Sequence, residues 1–147
     1  MSAPNILLFI ADGLRGQALV PGAEAVAPHV RALAARGVHL CLPVVVDKDS
    51  ALEFRAWRPG DPLEKDGMGT LVPPAGTTVV QPQALLIPCL GVNAAGCRLG
   101  YGGGFYDRTL AASPRPLAVG VCHGFGRVEF EAQAHDIALD SVIFDDI

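Results

Sequence analysis

The chain has 147 residues, half of them hydrophobic, and a formal net charge of −4 at pH 7. A chain of this length can bury a substantial core, so we expect a single α/β domain covering residues 1–147. The negative charge and the scattered lysines and arginines argue against a nucleic-acid surface, and no apolar run approaches the ~20 residues that a membrane-spanning helix needs.

The N-terminal residues and the cysteines indicate a cytoplasmic protein. Residues Met1 to Asn5 carry no basic side chain ahead of an apolar run, so we expect no secretory signal. The cysteines form no Cys-x-x-Cys pair, which argues against a structural zinc site and favours buried, unpaired thiols. They are Cys41, Cys89, Cys97 and Cys122.

The first half of the chain predicts two buried strands around one helix. Ile6 to Ile10 and Val38 to Val46 are apolar runs, typical of strands covered on both faces. Between them, apolar residues at helical spacing predict a helix from about Glu24 to Arg36, with Gly37 ending it. Pro28 fits this helix only in its first turn.

The second half alternates strands with turn-rich segments. Leu52 to Trp57 alternates apolar and polar residues and predicts a half-exposed strand, whereas Arg58 to Pro82 is rich in Pro and Gly and predicts an extended surface connection. Ala84 to Ile87 and Leu117 to Cys122 predict further buried strands, and Ser141 to Phe144 a short final one.

Buried strands that alternate with helices predict a parallel sheet with helices on both faces. Ligands of such sheets bind at the carboxyl ends of the strands. We therefore expect the loops after Ile10, Val46 and Ile87 to converge on one cleft.

A glycine-rich run, RLGYGGGFYDR, spans Arg98 to Arg108 and precedes a predicted helix from Phe105 to Ala112. Glycines permit close approach of a ligand to the backbone, and free N–H groups at a helix start favour phosphate. The run lacks the Gly-Lys-Ser/Thr ending of a P-loop and the spacing of a dinucleotide fingerprint. We expect it to bind phosphate, with Asp107 near a cation, although a flexible surface turn is the alternative.

The window from Pro88 to Leu110 resembles the signature of the 5-formyltetrahydrofolate cyclo-ligases, also called methenyltetrahydrofolate synthetases. Asn93 stands where that family usually has Asp, and Val92 where it has an aromatic residue. The residues that match in order are Pro88, Gly96, Arg98, Leu99, Gly100, Gly102, Gly104, Phe105, Tyr106, Asp107 and Arg108.

The resemblance implies a parallel-sheet three-layer sandwich like those of NagB, ribose-5-phosphate isomerase and the CoA-transferases. It also implies ATP-dependent cyclisation of 5-formyltetrahydrofolate to 5,10-methenyltetrahydrofolate, with release of ADP and phosphate. The partners are then a small folate substrate and ATP with Mg²⁺, in a monomer or weak homodimer that binds neither nucleic acid nor membrane.

The resemblance further implies roles for individual residues. Arg98, Tyr106 and Asp107 are the expected catalytic residues. The expected ATP-binding residues are Arg98, Leu99, Gly100, Tyr101, Gly102, Gly103, Gly104, Phe105 and Tyr106. The substrate is expected to contact Glu24, Trp57 and Tyr106, and the metal Asp107 and Asp136.

Three of these residues also have ordinary structural interpretations. Glu24 is equally a carboxylate near a helix start, Trp57 a partly buried aromatic residue, and Asp136 a turn residue. Only the resemblance implies that Glu24 binds a pterin ring and that Asp136 binds Mg²⁺ together with Asp107.

The sequence also departs from the family before its first strand, where members have a Lys and an Arg that contact ATP. We therefore expect weak ATP binding that depends strongly on Mg²⁺. Three hypotheses remain open: an active cyclo-ligase, a relative that binds nucleotide or folate with little or no turnover, and a different ATP-using α/β enzyme that shares only the loop.

Overall fold

The computed structural model describes residues 6–7, 28–66, 69–99 and 103–145. Two α-helices, one short 3₁₀ helix (Gly124–Gly126) and ten strands occur in these ranges. The helices are α1 (Pro28–Ala35) and α2 (Phe105–Ala111). The strands are β1 (Ile6–Leu7), β2 (Leu40–Val44), β3 (Glu53–Trp57), β4 (Glu64–Lys65), β5 (Leu71–Val72), β6 (Ala84–Cys89), β7 (Gly91–Val92), β8 (Arg98–Leu99), β9 (Leu117–His123) and β10 (Ser141–Asp145).

Four strands form a parallel sheet in the order β1-β6-β9-β10. Ala84 pairs with Ile6 on one side of β6 and with Leu117 on the other. Strand β10 pairs with β9 along its whole length, from Ser141 opposite Val119 onward. The predicted parallel sheet is therefore confirmed, and the carboxyl ends of β6 and β9 lie side by side.

The two helices cover opposite faces of this sheet, which makes three layers. Leu85 and Ile87 of β6 pack in one buried cluster with Leu110 of α2. Leu86, which points the other way because strand side chains alternate, packs against the cluster that contains Val30 of α1. The predicted α/β layer architecture is confirmed.

Helix α1 ends as its sequence predicts. The N–H of Gly37 bonds to the carbonyl oxygen of Ala34, and the N–H of Val38 to that of Leu33, both at 3.1 Å. These are the two bonds of a Schellman motif, which needs a left-handed residue, and Gly37 has φ +85°. Pro28 is the first described residue of this helix, and the helix start predicted near Glu24 lies outside the described residues.

Strands β2 and β3 differ from the prediction of a purely parallel sheet. They pair antiparallel, with Leu40 opposite Trp57 and Val44 opposite Glu53. β2 lies next to β1, at the side of the parallel sheet. A short loop returns the chain from β2 to β3, and so short a connection permits only an antiparallel neighbour.

The segment Arg58 to Pro82 is more structured than an extended surface connection. It contains the antiparallel hairpin of β4 and β5, whose turn is held by Asp66, the acceptor of a 2.9 Å bond from the N–H of Thr70. Val72 and Pro73 are buried, and Arg55 donates from Nη1 to the carbonyl oxygen of Pro73 at 2.9 Å, which joins this segment to β3.

Strand β9 is covered on one face only, which corrects the prediction that it is buried on both. Its residues alternate, with Ala118 and Cys122 buried and Leu117 and Val121 exposed. The predicted strand positions at β6 and β10 are confirmed. No helix in the described part of the chain is long and apolar enough to cross a membrane.

Candidate functional site

A short antiparallel hairpin of β7 and β8 separates strand β6 from the glycine run. Asn93 holds its turn, because Oδ1 accepts bonds from the N–H groups of Ala95 and Cys97 at 3.1 and 2.9 Å. Its Nδ2 also donates to the carbonyl oxygen of Phe130 at 3.2 Å. An aspartate could not donate this last bond, so Asn93 suits its own surroundings.

The glycine run leads from β8 into α2, as predicted. Gly100, Tyr101 and Gly102 lie outside the described residues. Gly104 precedes the helix with φ +69°, the left-handed region that glycine adopts without penalty. A Cβ at this position would approach Nη1 of Arg108 to 2.8 Å, so the end of this side chain would have to shift, and it is the backbone conformation that favours glycine.

Arg108 joins the glycine run to the loop after β2. Its Nη2 donates to the carbonyl oxygens of Gly103 and Lys48 at 2.8 and 3.0 Å, and its Nε donates to that of Ser50 at 3.0 Å. Nearby, Thr109 accepts a 3.0 Å bond from the N–H of Leu52. The predicted convergence of these two loops is confirmed, while the loop after Ile10 lies outside the described residues.

Arg98 and Tyr106 form a stacked pair across the glycine run. The guanidinium carbon of Arg98 lies 4.8 Å from the centre of the Tyr106 ring, within the range of a cation–π contact. Both residues are half-buried, and the Tyr106 ring also packs against the cluster around Leu85 and Leu110. The pair therefore has defined positions beside the loop that the sequence assigns to ATP.

Asp107 and Asp136, 29 positions apart in the sequence, come together as predicted. One ligand atom each of Asp107, His135 and Asp136 lies within 4.8 Å of the other two. Both aspartates are half-buried, whereas His135 is exposed and its Nε2 lies 3.5 Å from Oδ1 of Asp136. The structure thus places a third potential ligand, which the sequence did not assign, at this position.

Backbone bonds hold the two carboxylates in place. Oδ1 of Asp107 accepts from the N–H of Ile137 at 3.2 Å, and Oδ2 of Asp136 accepts from the N–H of Gln133 at 2.8 Å. Further along, the N–H of Leu139 bonds to the carbonyl oxygen of Gly96 at 2.9 Å. The segment from Gln133 to Leu139 is therefore anchored to both α2 and the β7–β8 hairpin.

The donor chemistry of this group fits a hard divalent cation. A carboxylate has two oxygens, so a single backbone bond leaves each aspartate able to accept further contacts. Mg²⁺ takes oxygen ligands and is held by one or two protein carboxylates together with substrate phosphates. Asp107 and Asp136 would supply those oxygens beside the glycine run, for which phosphate binding stays a prediction.

All four cysteines are free thiols and are buried. Burial raises the pKa of the Cys41 thiol to about 12. Burial also raises the pKa of Cys89 to about 11, although the charge of nearby Arg98 opposes the shift. These two thiols are therefore poor nucleophiles near neutral pH, because the thiolate is the reactive form.

Of the predicted substrate residues, Trp57 is not brought to this cluster. Glu24 lies outside the described residues. Trp57 is 2% exposed and packs with Val30, Leu40 and Leu42. It pairs with Leu40, at the opposite end of the β2–β3 ladder from Val44 and the loop that reaches Arg108. Stacking of a substrate ring on Trp57 stays a prediction, and this burial does not favour it.

Comparison with known proteins identifies relatives of this chain. The model of the 5-formyltetrahydrofolate cyclo-ligase family matches residues 22–145. A Mycolicibacterium smegmatis protein named 5-formyltetrahydrofolate cyclo-ligase is 33% identical over 117 residues, which are 73% of this chain and 60% of that protein. A Mycoplasma pneumoniae protein of the same name is 37% identical over 67 residues, 45% of this chain and 41% of that protein. The chain thus matches 60% or less of the length of these relatives.

Two solved structures share the fold. The structure of 5,10-methenyltetrahydrofolate synthetase from Aquifex aeolicus matches with a TM-score of 0.67 at 22% identity, covering 99% of this chain and 70% of that one. The synthetase from Mycoplasma pneumoniae matches with a TM-score of 0.64 at 19% identity, covering 93% and 71%. At these identities the two likenesses support the three-layer α/β fold.

Proposed function

The chain belongs to the 5-formyltetrahydrofolate cyclo-ligase family, and on that premise we propose that it closes the ring of 5-formyltetrahydrofolate at the expense of ATP. The products are 5,10-methenyltetrahydrofolate, ADP and phosphate. The observation that carries the proposal is the placement of Asp136 beside Asp107, which lies in the first turn of the helix that follows the glycine run.

The reaction consists of two displacements. The formyl oxygen on N5 attacks the γ-phosphorus of ATP and ADP leaves, which converts the formyl oxygen into a leaving group. N10 then attacks the formyl carbon, the phosphate departs and takes up the proton that N10 loses, and the new C–N bond closes the ring. No protein nucleophile takes part, so the enzyme contributes binding, orientation and charge neutralisation.

The residues around the glycine run fit these demands. We assign ATP binding to the run from Leu99 to Tyr106 with Arg98, whose guanidinium is a bidentate donor suited to phosphate. Arg108 is itself bonded to the carbonyl oxygens of Gly103, Lys48 and Ser50, so we assign it the role of fixing the loop. In this proposal Tyr106 contacts both ATP and the folate, with its ring held against Arg98.

Asp107 and Asp136 are proposed to hold Mg²⁺. When bound, the ion would neutralise phosphate charge that would otherwise be repelled by the two carboxylates. The backbone bonds from Ile137 and Gln133 keep both carboxylates at the phosphate loop before any ligand arrives. Glu24 and Trp57 are proposed as folate contacts on the resemblance alone. We also propose a cytoplasmic location.

Formation of 5,10-methenyltetrahydrofolate, measured by the absorbance of this product, tests the proposed function. Purified protein is mixed with 5-formyltetrahydrofolate, Mg²⁺ and ATP, and each of the three is omitted in turn. Product that forms only in the complete mixture supports the proposal. Binding of ATP or folate without product would instead identify a relative that binds its ligands without turnover.

A further inference from the structure

The group of Asp107, His135 and Asp136 contains an imidazole for which the proposed reaction has no use. One ligand atom each of these three side chains lies within 4.8 Å of the other two. Two ligands of one octahedral ion, each about 2.1 Å from it, are about 3 to 4.2 Å apart, so a movement of about half an ångström brings all three onto one ion. The side chain of His135 is exposed, so it has room for this movement.

The carboxylate of Asp136 turns its unused oxygen toward His135. Its Oδ2 accepts the bond from the N–H of Gln133, whereas its Oδ1 lies 3.5 Å from Nε2 of His135. This separation is longer than the about 2.7–2.9 Å of a charge-assisted hydrogen bond. It lies within the about 3 to 4.2 Å that separates two ligands of one ion. The spacing of the two atoms therefore suits a shared ion better than a direct bond between them.

No cationic side chain neutralises the two carboxylates in the part of the chain that the structure describes. Asp107 and Asp136 are half-buried, and neither forms an ion pair with a described lysine or arginine. Backbone bonds from Ile137 and Gln133 nevertheless hold them together. Like charges so placed repel each other unless a cation lies between them. The group is thus arranged for a cation that comes from solution.

We propose that His135 is a third protein ligand of the ion held by Asp107 and Asp136, and that its imidazole makes the site prefer a divalent first-row transition-metal ion to Mg²⁺. Imidazole nitrogen is a common ligand of such ions, whereas Mg²⁺ takes oxygen ligands. The inference rests on the proposed assignment of the two aspartates to a cation and extends it to the kind of ion that binds.

A third protein ligand also changes when the ion binds. Mg²⁺ is usually held by one or two carboxylates together with substrate phosphates, so it arrives with the nucleotide. Two carboxylates and an imidazole supply half of an octahedral set from the protein alone. The site should therefore bind a transition-metal ion before ATP is present, with positions left for water or phosphate oxygens.

Binding of Mn²⁺ without ATP or folate tests the proposal. Mn²⁺ binds most weakly of the first-row series, so a preference for it over Mg²⁺ is the most demanding case. Loss of the EPR signal of the free ion measures binding of Mn²⁺, and displacement measures that of Mg²⁺. We expect one Mn²⁺ per chain, bound at least ~10-fold more tightly than Mg²⁺, with a spin-echo modulation from a directly bound nitrogen-14 nucleus.

His135→Ala should abolish the nitrogen modulation and weaken Mn²⁺ binding by at least ~10-fold, or ~1.4 kcal/mol. Its affinity for Mg²⁺ should change by less than ~3-fold, because Mg²⁺ gains little from an imidazole. His39→Ala is the matched control, because His39 is also exposed but precedes β2 and does not belong to the group. This control should change neither affinity and should keep the nitrogen modulation.

The nitrogen signal decides the outcome, because carboxylates alone can also favour Mn²⁺ over Mg²⁺. Protein that binds no Mn²⁺, bound Mn²⁺ without the modulation, or a modulation that survives His135→Ala would each overturn the proposal. Turnover is measured separately. Ring closure without nitrogen coordination would contradict this inference alone, whereas nitrogen coordination without ring closure would contradict the proposed function alone.

Discussion

Asp107 accepts a hydrogen bond from the backbone N–H of Ile137, with a distance of 3.2 Å between Oδ1 and the nitrogen. This bond joins the helix that follows the glycine run to the segment that carries Asp136. It explains how two aspartates far apart in the sequence come to share one position. The bond also leaves the second oxygen of Asp107 for other partners, which is the basis of the first prediction.

Asp107→Asn should lose activity far more than stability. The amide oxygen of asparagine can still accept the bond from Ile137, but it carries no charge to hold Mg²⁺. We expect kcat/KM to fall by about 100-fold and the free energy of unfolding to change by less than ~1 kcal/mol. Initial rates of methenyl formation give kcat/KM, urea unfolding gives the free energy of unfolding, and ATP titrations with and without EDTA test the metal dependence.

The control for this variant is Asp49→Asn, which removes an exposed carboxylate from the loop after β2. It should leave both activity and metal dependence unchanged. Equal, metal-independent ATP affinity in the wild type and Asp107→Asn would show that Asp107 holds no cation.

Gly104→Ala should weaken ATP binding through local strain and a clash with Arg108. Alanine at φ +69° costs ~1–2 kcal/mol, and its Cβ would displace the guanidinium from its 2.8 Å approach. Gly76→Ala separates the two effects, because Gly76 has φ +89° with nothing within 4 Å of the added Cβ. We expect the larger loss of stability in Gly104→Ala, where the clash adds to the strain, and a loss of ATP affinity by calorimetry only in that variant.

Arg108→Lys should loosen the glycine run. An ammonium group cannot reproduce the planar arrangement with which Arg108 reaches the carbonyl oxygens of Gly103, Lys48 and Ser50. We expect a loss of ~1–2 kcal/mol in the free energy of unfolding and weaker ATP binding. Arg36→Lys changes an exposed arginine at the end of α1 and should alter neither quantity.

The resemblance carried by the glycine run predicted the association of Asp107 with Asp136 because both residues lie in recognisable short motifs. The position of Arg108 was visible in the same motif, but its partners were not. They are backbone carbonyl oxygens, which every residue has, so no side chain marks them in the sequence. The same limit applies to His135, whose approach to Asp107 depends on the backbone bonds around it.

Burial was predicted less well than strand position. The apolar run at β9 predicts burial on both faces, yet Leu117 and Val121 are exposed because α1 covers only the neighbouring part of the sheet. The apolar pattern shows which side chains of a strand could be buried, whereas the helices that pack on the sheet determine which of them are buried. The antiparallel β2–β3 pair was missed for a related reason, since its direction is set by the short connecting loop.

The contribution of Asp140 to the stability of the fold should decrease at acid pH. A bond from the N–H of Ala118 and the contacts with Arg115 lower the pKa of Asp140 below its usual 3.8. A lowered pKa in the folded state stabilises the protein above the unfolded value, and this contribution is lost as the pH falls through the folded pKa. The stability difference between wild type and Asp140→Asn should therefore be constant above about pH 5 and shrink below the usual pKa. Urea unfolding across this pH range measures it, and a difference that grows in acid would contradict the assignment.

The buried thiols should be inert in the native protein. With pKa values raised to about 12 and about 11, Cys41 and Cys89 are almost entirely protonated near neutral pH. We expect a thiol-specific reagent to modify all four cysteines in denaturant but Cys41 and Cys89 only slowly without it. Rapid native modification of either residue, located by peptide mass mapping, would show that its surroundings are open.

The central claim is that phosphate transfer from ATP and ring closure of the folate are coupled at the site of Asp107 and Asp136. The most direct measurement is the ratio of ADP released to 5,10-methenyltetrahydrofolate formed, both followed in one reaction with limiting folate. The account predicts one ADP for each methenyl product, no ADP release without 5-formyltetrahydrofolate, and loss of both products in Asp107→Asn. ADP release that ignores the folate, or product formation that survives Asp107→Asn, would contradict it.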